Sequence, residues 1–150
     1  MSRASVHRLA AVLLFAASSV AQAQPAAEAP LVLKRRVLDG VAYVESWASL
    51  HEVRGLKATG DGFLAVRAGP ATTFAERDRL ANGRTVFVFE TKGQWAGIVY
   101  PPSADHEIEA VARHCGFDEI AARAMPLRMT YGGPCSWGWV HRRWLVNLSD

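Results

Sequence analysis

The chain has 150 residues, half of them hydrophobic, with 17 Lys and Arg against 14 Asp and Glu. That length suits one modest domain with its own core and argues against a large multidomain enzyme. The formal charge of +3 includes Arg3 and Arg8 in a segment expected to be removed; what remains is nearly neutral and offers no electrostatic footprint for nucleic acid, so no nucleic-acid partner is expected.

Met1 to Arg8 holds two Arg and no acid, Leu9 to Val20 is apolar apart from Ser18 and Ser19, and Ala21-Gln22-Ala23 supplies small residues at a cleavage spacing. Residues 1–23 therefore read as a secretory signal peptide. The apolar run falls short of the roughly 18 to 20 residues a spanning helix needs, and no later segment comes close, so no membrane span is expected after cleavage. The protein is expected to be periplasmic or secreted. Residues 24–46 read as a flexible leader or poorly defined N-terminal segment, with Gln24 to Pro30 rich in Ala and Pro. From Leu31 to Leu50 two readings stand: a loose hairpin around Asp39-Gly40, or a short helix over Tyr43 to Leu50.

The domain proper is expected over 47–150. Leu50 to Lys57 is strand-like. In Phe63 to Ala68 the residues alternate, so a strand should point Leu64 and Val66 inward. Ala68-Gly69-Pro70 stops it, because Gly accepts positive φ and Pro fixes its own φ while removing a donor. Ala71 to Arg79 reads as a loop with Phe74 as its large apolar residue. Asn82-Gly83 is a tight turn, Arg84 to Glu90 is rich in β-branched and aromatic residues, and Lys92-Gly93 reverses the chain into Gln94 to Tyr100. So short a connection makes that pair antiparallel.

Pro101-Pro102 ends the run and opens an insert over 101–135. Ile108, Val111 and Ala112 at helical spacing, with acids before them and Arg113 and His114 after, predict a short helix. A second helical piece is expected from Asp118 to Ala124, stopped near Pro126. Tyr131 to Pro134 is a turn, after which Trp137 to Val140 resumes strand character. Cys115 and Cys135 are both in the exported part, and an even count in an oxidising compartment argues for one disulfide, against the alternatives of two free thiols or a metal ligand.

Three phrases, Val66-Arg67-Ala68-Gly69-Pro70, Gln94-Trp95-Ala96-Gly97-Ile98-Val99 and Gly138-Trp139-Val140 followed by Trp144-Leu145, resemble the bacterial SH3-like domain family. The resemblance covers roughly Gly55 to Leu145 and implies a mainly β fold, a small SH3-like β-barrel. The short helical insert before the last strands departs from the family's usual hairpin. Many relatives are attached to a catalytic or cell-wall domain.

The residue inventory does not support catalysis. His114 beside Cys115 points elsewhere, Ser103, Asp105 and His106 carry no elbow-type motif, and Glu107 and Glu109 would splay on a helix. His106, His114 and His141 lack the usual Cys/His ligand spacings, so no metal is expected, and no cofactor either. A non-catalytic protein is expected. SH3-like surfaces lay extended peptides across aromatic grooves, and Arg67, Phe74, Trp95, Tyr100, Tyr131 and Trp137 are the candidate ligand-binding residues. Each could instead pack in the core, and Arg67 could instead brace the Gly69-Pro70 turn. Trp139 reads as structural; Trp137 would share its face on an unbroken strand, unless Gly138 bends the chain.

The expected function is an exported non-catalytic binding module recognising peptidoglycan peptides or another cell-envelope protein. The alternative is an inhibitor or immunity-type protein that blocks an enzyme with the disulfide-closed insert. If Ile108, Val111 and Phe117 pack inward the insert is a lid; if Met125, Leu127 and Met129 alternate outward it is an interaction surface.

Overall fold

The computed structural model describes residues 27–45, 49–102 and 108–148. The expected signal peptide at 1–23 and the residues Ser103, Asp105, His106 and Glu107 lie outside the described residues. In chain order the strands are β1 (Val32–Leu38), β2 (Val41–Val44), β3 (Leu50–Val53), β4 (Leu64–Arg67), β5 (Glu76–Leu80), β6 (Thr85–Lys92) and β7 (Trp95–Tyr100). Helices α1 (Ile108–Cys115) and α2 (Glu119–Ala124) follow, then β8 (Arg128–Thr130), β9 (Ser136–His141), a 3-10 turn (Arg142–Trp144) and β10 (Leu145–Asn147).

The fold is mainly β and every strand pairing is antiparallel. Seven strands make one sheet in the order β10-β3-β6-β7-β9-β4-β5. It is not a closed barrel: β10 and β5 are its two edges. The sheet instead wraps around a core on one face, formed by Val53, Leu64, Val66, Leu80, Val86, Val88, Ala96, Ile98, Tyr100 and Val140, with Leu145 packed against it. The inward pair Leu64 and Val66 is as the alternation predicts. The middle strands are covered on both faces. In β6, Val86 and Val88 enter this core while Phe87 and Phe89 point to the other side, where both rings meet Phe117 edge-on at 5.0 and 5.2 Å. That is why Thr85 to Phe89 reads as a near-continuous apolar run rather than an alternating one.

The second face is covered by a three-stranded sheet, β2-β1-β8, and by the two helices. Residues 31–45 are thus an ordered hairpin, not a leader: of the two readings the hairpin is observed, and Asp39 and Gly40 both take positive φ at its tip. Leu31 and Leu33 are at most 1 % exposed. The sequence pattern hides this because Lys34, Arg35 and Arg36 interrupt the apolar residues, whose cover comes from the insert: Leu33 lies opposite Met129 of β8. Gly97 is the contact point with the long sheet; a Cβ there would lie 2.5 Å from Leu31 Cδ1.

Both predicted helices are present over their described parts. Asp118 caps α2, its Oδ1 accepting from the Ala121 N–H at 2.9 Å. Cys115 and Cys135 form a disulfide, both sulfur-bearing residues being buried. Among the described residues no helix is long and apolar enough to cross a membrane.

One strand departs from expectation. The loop expected to run from Ala71 to Arg79 ends early, and Glu76–Leu80 is the edge strand β5. Only Leu80 is buried; Glu76, Arg77, Asp78 and Arg79 are charged and exposed, a composition that blunts an edge against pairing with other chains.

Candidate functional site

β7 and β9 are neighbours despite the insert between them, in register from Trp95 opposite His141 to Tyr100 opposite Ser136. The Arg142 N–H donates to Gln94 O, extending that register, so by the alternation of antiparallel ladders Trp137 and Trp139 direct their own amides and carbonyls away from β7. On that far side β4 pairs with β9 only at Arg67 opposite Trp139. The chain then leaves at Gly69, where Phe74 takes the place of a side chain: a Cβ at Gly69 would lie 2.4 Å from its ring. Because β4 turns away, the Ser136 and Trp137 end of β9 has no strand beside it, and a cleft opens between β9 and β5.

Two adjoining depressions of about 280 and 440 Å³ make up this cleft and share Asp78, Tyr100 and Ser136. The bulge in β5 places Arg77 out of register with β4, and its guanidinium lies over the Trp137 ring at 4.0 Å. Arg79 and Arg84 line the second depression. Arg84 Nη2 and Nη1 donate to the carbonyls of Pro101 and Pro102 at 2.6 and 3.3 Å, which fixes the point where the insert departs. The guanidinium groups are engaged outside Asp78: Arg77 stacks on Trp137, Arg79 Nε pairs with Glu76 Oε1 at 2.6 Å, and Arg84 holds the two proline carbonyls. The Asp78 carboxylate is engaged as well: Oδ2 accepts from Tyr100 Oη at 2.8 Å and Oδ1 from the Arg79 N–H at 2.7 Å. Burial and the hydrogen bond to Asp78 push the Tyr100 phenol well above its ordinary range, so it stays a neutral donor. The open strand end in the cleft suits a ligand with an extended backbone.

The six residues singled out from the sequence do not form one surface. Tyr100 and Trp137 line the cleft. Arg67 and Phe74 make the turn that opens it: Arg67 Nη1 donates to Phe74 O at 3.0 Å, the bracing role. Trp95 shares the face of Trp137 but sits at the other end, roughly 13 Å away at ordinary strand rise, against His141. Burial first, then Arg143 and Arg142, lower the pKa of His141, whose Nε2 lies 2.8 Å from Gln94 Oε1. Tyr131 is buried beside the disulfide, where its Oη donates to Cys115 O at 3.0 Å and accepts from the Cys135 N–H at 3.1 Å. Gly133 is required there, since a Cβ would lie 2.6 Å from both Cys115 O and that hydroxyl. Trp139 is fully buried, and Trp137 shares its face, so Gly138 does not separate them.

Sequence reasoning missed Arg77, Asp78, Arg79, Arg84 and Ser136. The signal available was the alternation of charge in Glu76-Arg77-Asp78-Arg79, which marks a strand with no apolar face. Among the described residues no group of His, Cys, Asp and Glu could hold a metal ion. Compared with family models, curated proteins and solved structures, the chain matches none.

Proposed function

We propose that this chain is an exported, periplasmic or secreted, non-catalytic binding module of SH3-like architecture that takes an extended peptide of the cell wall, or of an envelope protein, in the cleft between β5 and β9. The observation that carries this reading is the open end of β9. There Trp137 turns backbone groups toward a cleft whose walls supply an aromatic face and guanidinium groups. Main-chain groups at a strand edge give affinity for an extended ligand, and the side chains around them give selectivity. The disulfide accords with export.

Co-sedimentation of the purified protein with isolated sacculi tests it. The wild-type chain should pellet with the wall and Trp137→Ala should stay in the supernatant while keeping its far-ultraviolet circular dichroism. Equal retention of the two chains would remove the cleft from the reading.

A second reading, inhibition of an enzyme through the insert, is favoured by one observation. Val111, Phe117 and Met125 anchor the insert while Ile120 and Leu127 stand 78 % and 67 % exposed. Ile108 is 43 % exposed and Met125 is buried, so neither packing pattern set out for the insert is met whole. Capture of a single envelope protein without retention by sacculi, lost in Ile120→Asp, would favour this reading.

A further inference from the structure

The cleft lies beside a stretch of this same chain. Ahead of β1, the Glu28 carboxylate pairs with the Arg77 guanidinium, the Ala29 N–H donates to Ala68 O at 2.8 Å, and Ala29 O accepts from Trp139 Nε1 at 2.8 Å. Pro30 follows, exposed and with no N–H to satisfy, and Leu31 then plunges into the core at Gly97. An extended Glu-Ala-Pro segment is held by one charge contact and by both backbone groups of a single residue. One backbone bond goes to main chain and the other to an indole side chain, contacts that a peptide ligand could make in the same way.

We propose that a seat beside the cleft, made by Arg77 at the cleft's rim, the Ala68 carbonyl and the Trp139 indole, is selective for peptides bearing a carboxylate side chain two residues before a proline, and that Glu28 to Pro30 occupies it in cis as a displaceable stand-in. This rests on the envelope-protein form of the peptide-binding reading above, since wall peptides carry no proline, and names its ligand class. The two ends of the segment differ in the way displacement requires. Leu31 is fully buried and its carbonyl accepts from the Tyr131 N–H at 2.8 Å, so it is a fixed anchor. Glu28 has 67 % of its side chain exposed, and Pro30 is exposed, so the part before the anchor is held only from one side.

Each receptor group has a hold besides the segment. Arg77 is set by the bulge and by stacking on Trp137, and Ala68 by its N–H bond to Ala75 O at 2.9 Å. Trp139 is locked in the core. When the segment lifts, its indole N–H is left with no protein acceptor, and a buried donor without a partner is costly. The open state therefore favours a ligand that brings a carbonyl to that place, and Arg77 favours one whose preceding residue is an acid. Proline after that carbonyl adds no N–H needing a partner and presets the extended backbone at low entropic cost. A tether of a few residues gives the resident segment a high effective concentration, so a free peptide competes poorly until the segment is weakened.

The test uses the full chain and a synthetic peptide copying residues 26–31, Ala-Ala-Glu-Ala-Pro-Leu, with binding read by isothermal titration calorimetry. Glu28→Lys places a cation against Arg77 and should release the segment. The variant should bind the peptide at least roughly tenfold more tightly than wild type, and the NMR signal of the Trp139 indole proton should shift in the variant and return on adding peptide. A peptide with Gln in place of Glu should bind at least roughly tenfold more weakly, as loss of a charge-assisted contact predicts. Equal affinity of wild type and Glu28→Lys, or no binding to either, overturns the proposal, as does an indole signal that never moves. Retention of both chains by sacculi without peptide binding would defeat this inference and leave the cell-wall reading standing. Peptide binding without sacculus retention would do the reverse.

Discussion

On one face of the long sheet, Val53, Leu64, Val66, Leu80, Val86, Ile98 and Val140 meet across a ladder in which only β6-β7 and β4-β5 join consecutive strands. On the other, Leu31, Leu33, Ala42 and Val44 from the start of the domain meet Val111, Phe117, Ala122 and Met125 from the insert. The first layer is held by ladders that extend from edge to edge. The second has a three-stranded sheet, two short helices and a cross-link, and its strongest local bonds converge on Cys115, Tyr131 and Cys135. Both layers join distant segments and must offset the chain entropy of closing those loops; the long sheet does so with continuous ladders, and the second layer has a disulfide in addition.

The largest expected effect breaks the second layer alone. Replacing both cysteines by serine opens a cross-link with a sequence separation of 20 and should cost about 3 kcal/mol in chemical denaturation. By hydrogen exchange, the amides of Leu33, Val111 and Phe117 should lose protection before those of Val66 and Ile98; simultaneous loss would mean that the two layers are one cooperative unit.

Gly138→Ala sharpens the contrast from the other side. Its Cβ would lie 2.4 Å from Val66 Cγ1 and 2.8 Å from the backbone carbonyl of Arg67, so the strand layer should lose about 2 kcal/mol while the disulfide stays formed. A variant as stable as wild type would show that β4 and β9 are less tightly packed than described.

Smaller again is Tyr131→Phe, expected to cost about 1.5 kcal/mol by leaving the Cys115 carbonyl and Cys135 amide unpaired. The same residue gives a pH signature. Burial pushes the Tyr131 phenol from 10.0 up to about 12, and Tyr100 is raised as well. A group whose folded value is raised stabilises fully below its unfolded value and stops doing so as pH rises through the folded one. Stability should therefore hold to about pH 10 and fall toward pH 12 and above, less steeply in Tyr131→Phe. An identical alkaline profile for the two chains would contradict the burial of this hydroxyl. Trp137→Ala should cost about 1 to 2 kcal/mol, because the partly buried ring packs against the second layer beneath Arg77; a loss above about 3 kcal/mol would show that the ring is a core residue.

Much of the strand layer was legible because its rules are local. Leu64 and Val66 alternate, Asn82-Gly83 and Lys92-Gly93 turn, and Gly83 and Gly93 take the positive φ such turns demand. The hairpin at 31–45 was only half legible: Asp39-Gly40 announced a turn, but Leu31 and Leu33 are core only because the insert returns β8 to cover them. β5 was illegible as a strand since its sole buried residue is Leu80, and that strand carries most of the cleft's charge. For the aromatics, residue type could not separate roles. Tyr131 and Trp137 look alike in sequence, yet the first is bound by the disulfide's backbone and the second stands where β4 turns away. That difference depends on where a neighbouring strand stops.

The most direct test of the cleft is an NMR titration of the full chain carrying Glu28→Lys, so that the resident segment does not compete, with soluble muropeptides released from sacculi. Peptide binding between β5 and β9 predicts chemical-shift changes at Arg77, Asp78, Ser136 and Trp137, with Ile120, Leu127 and Met129 unmoved. Shifts confined to those three insert residues, or none anywhere, would contradict it.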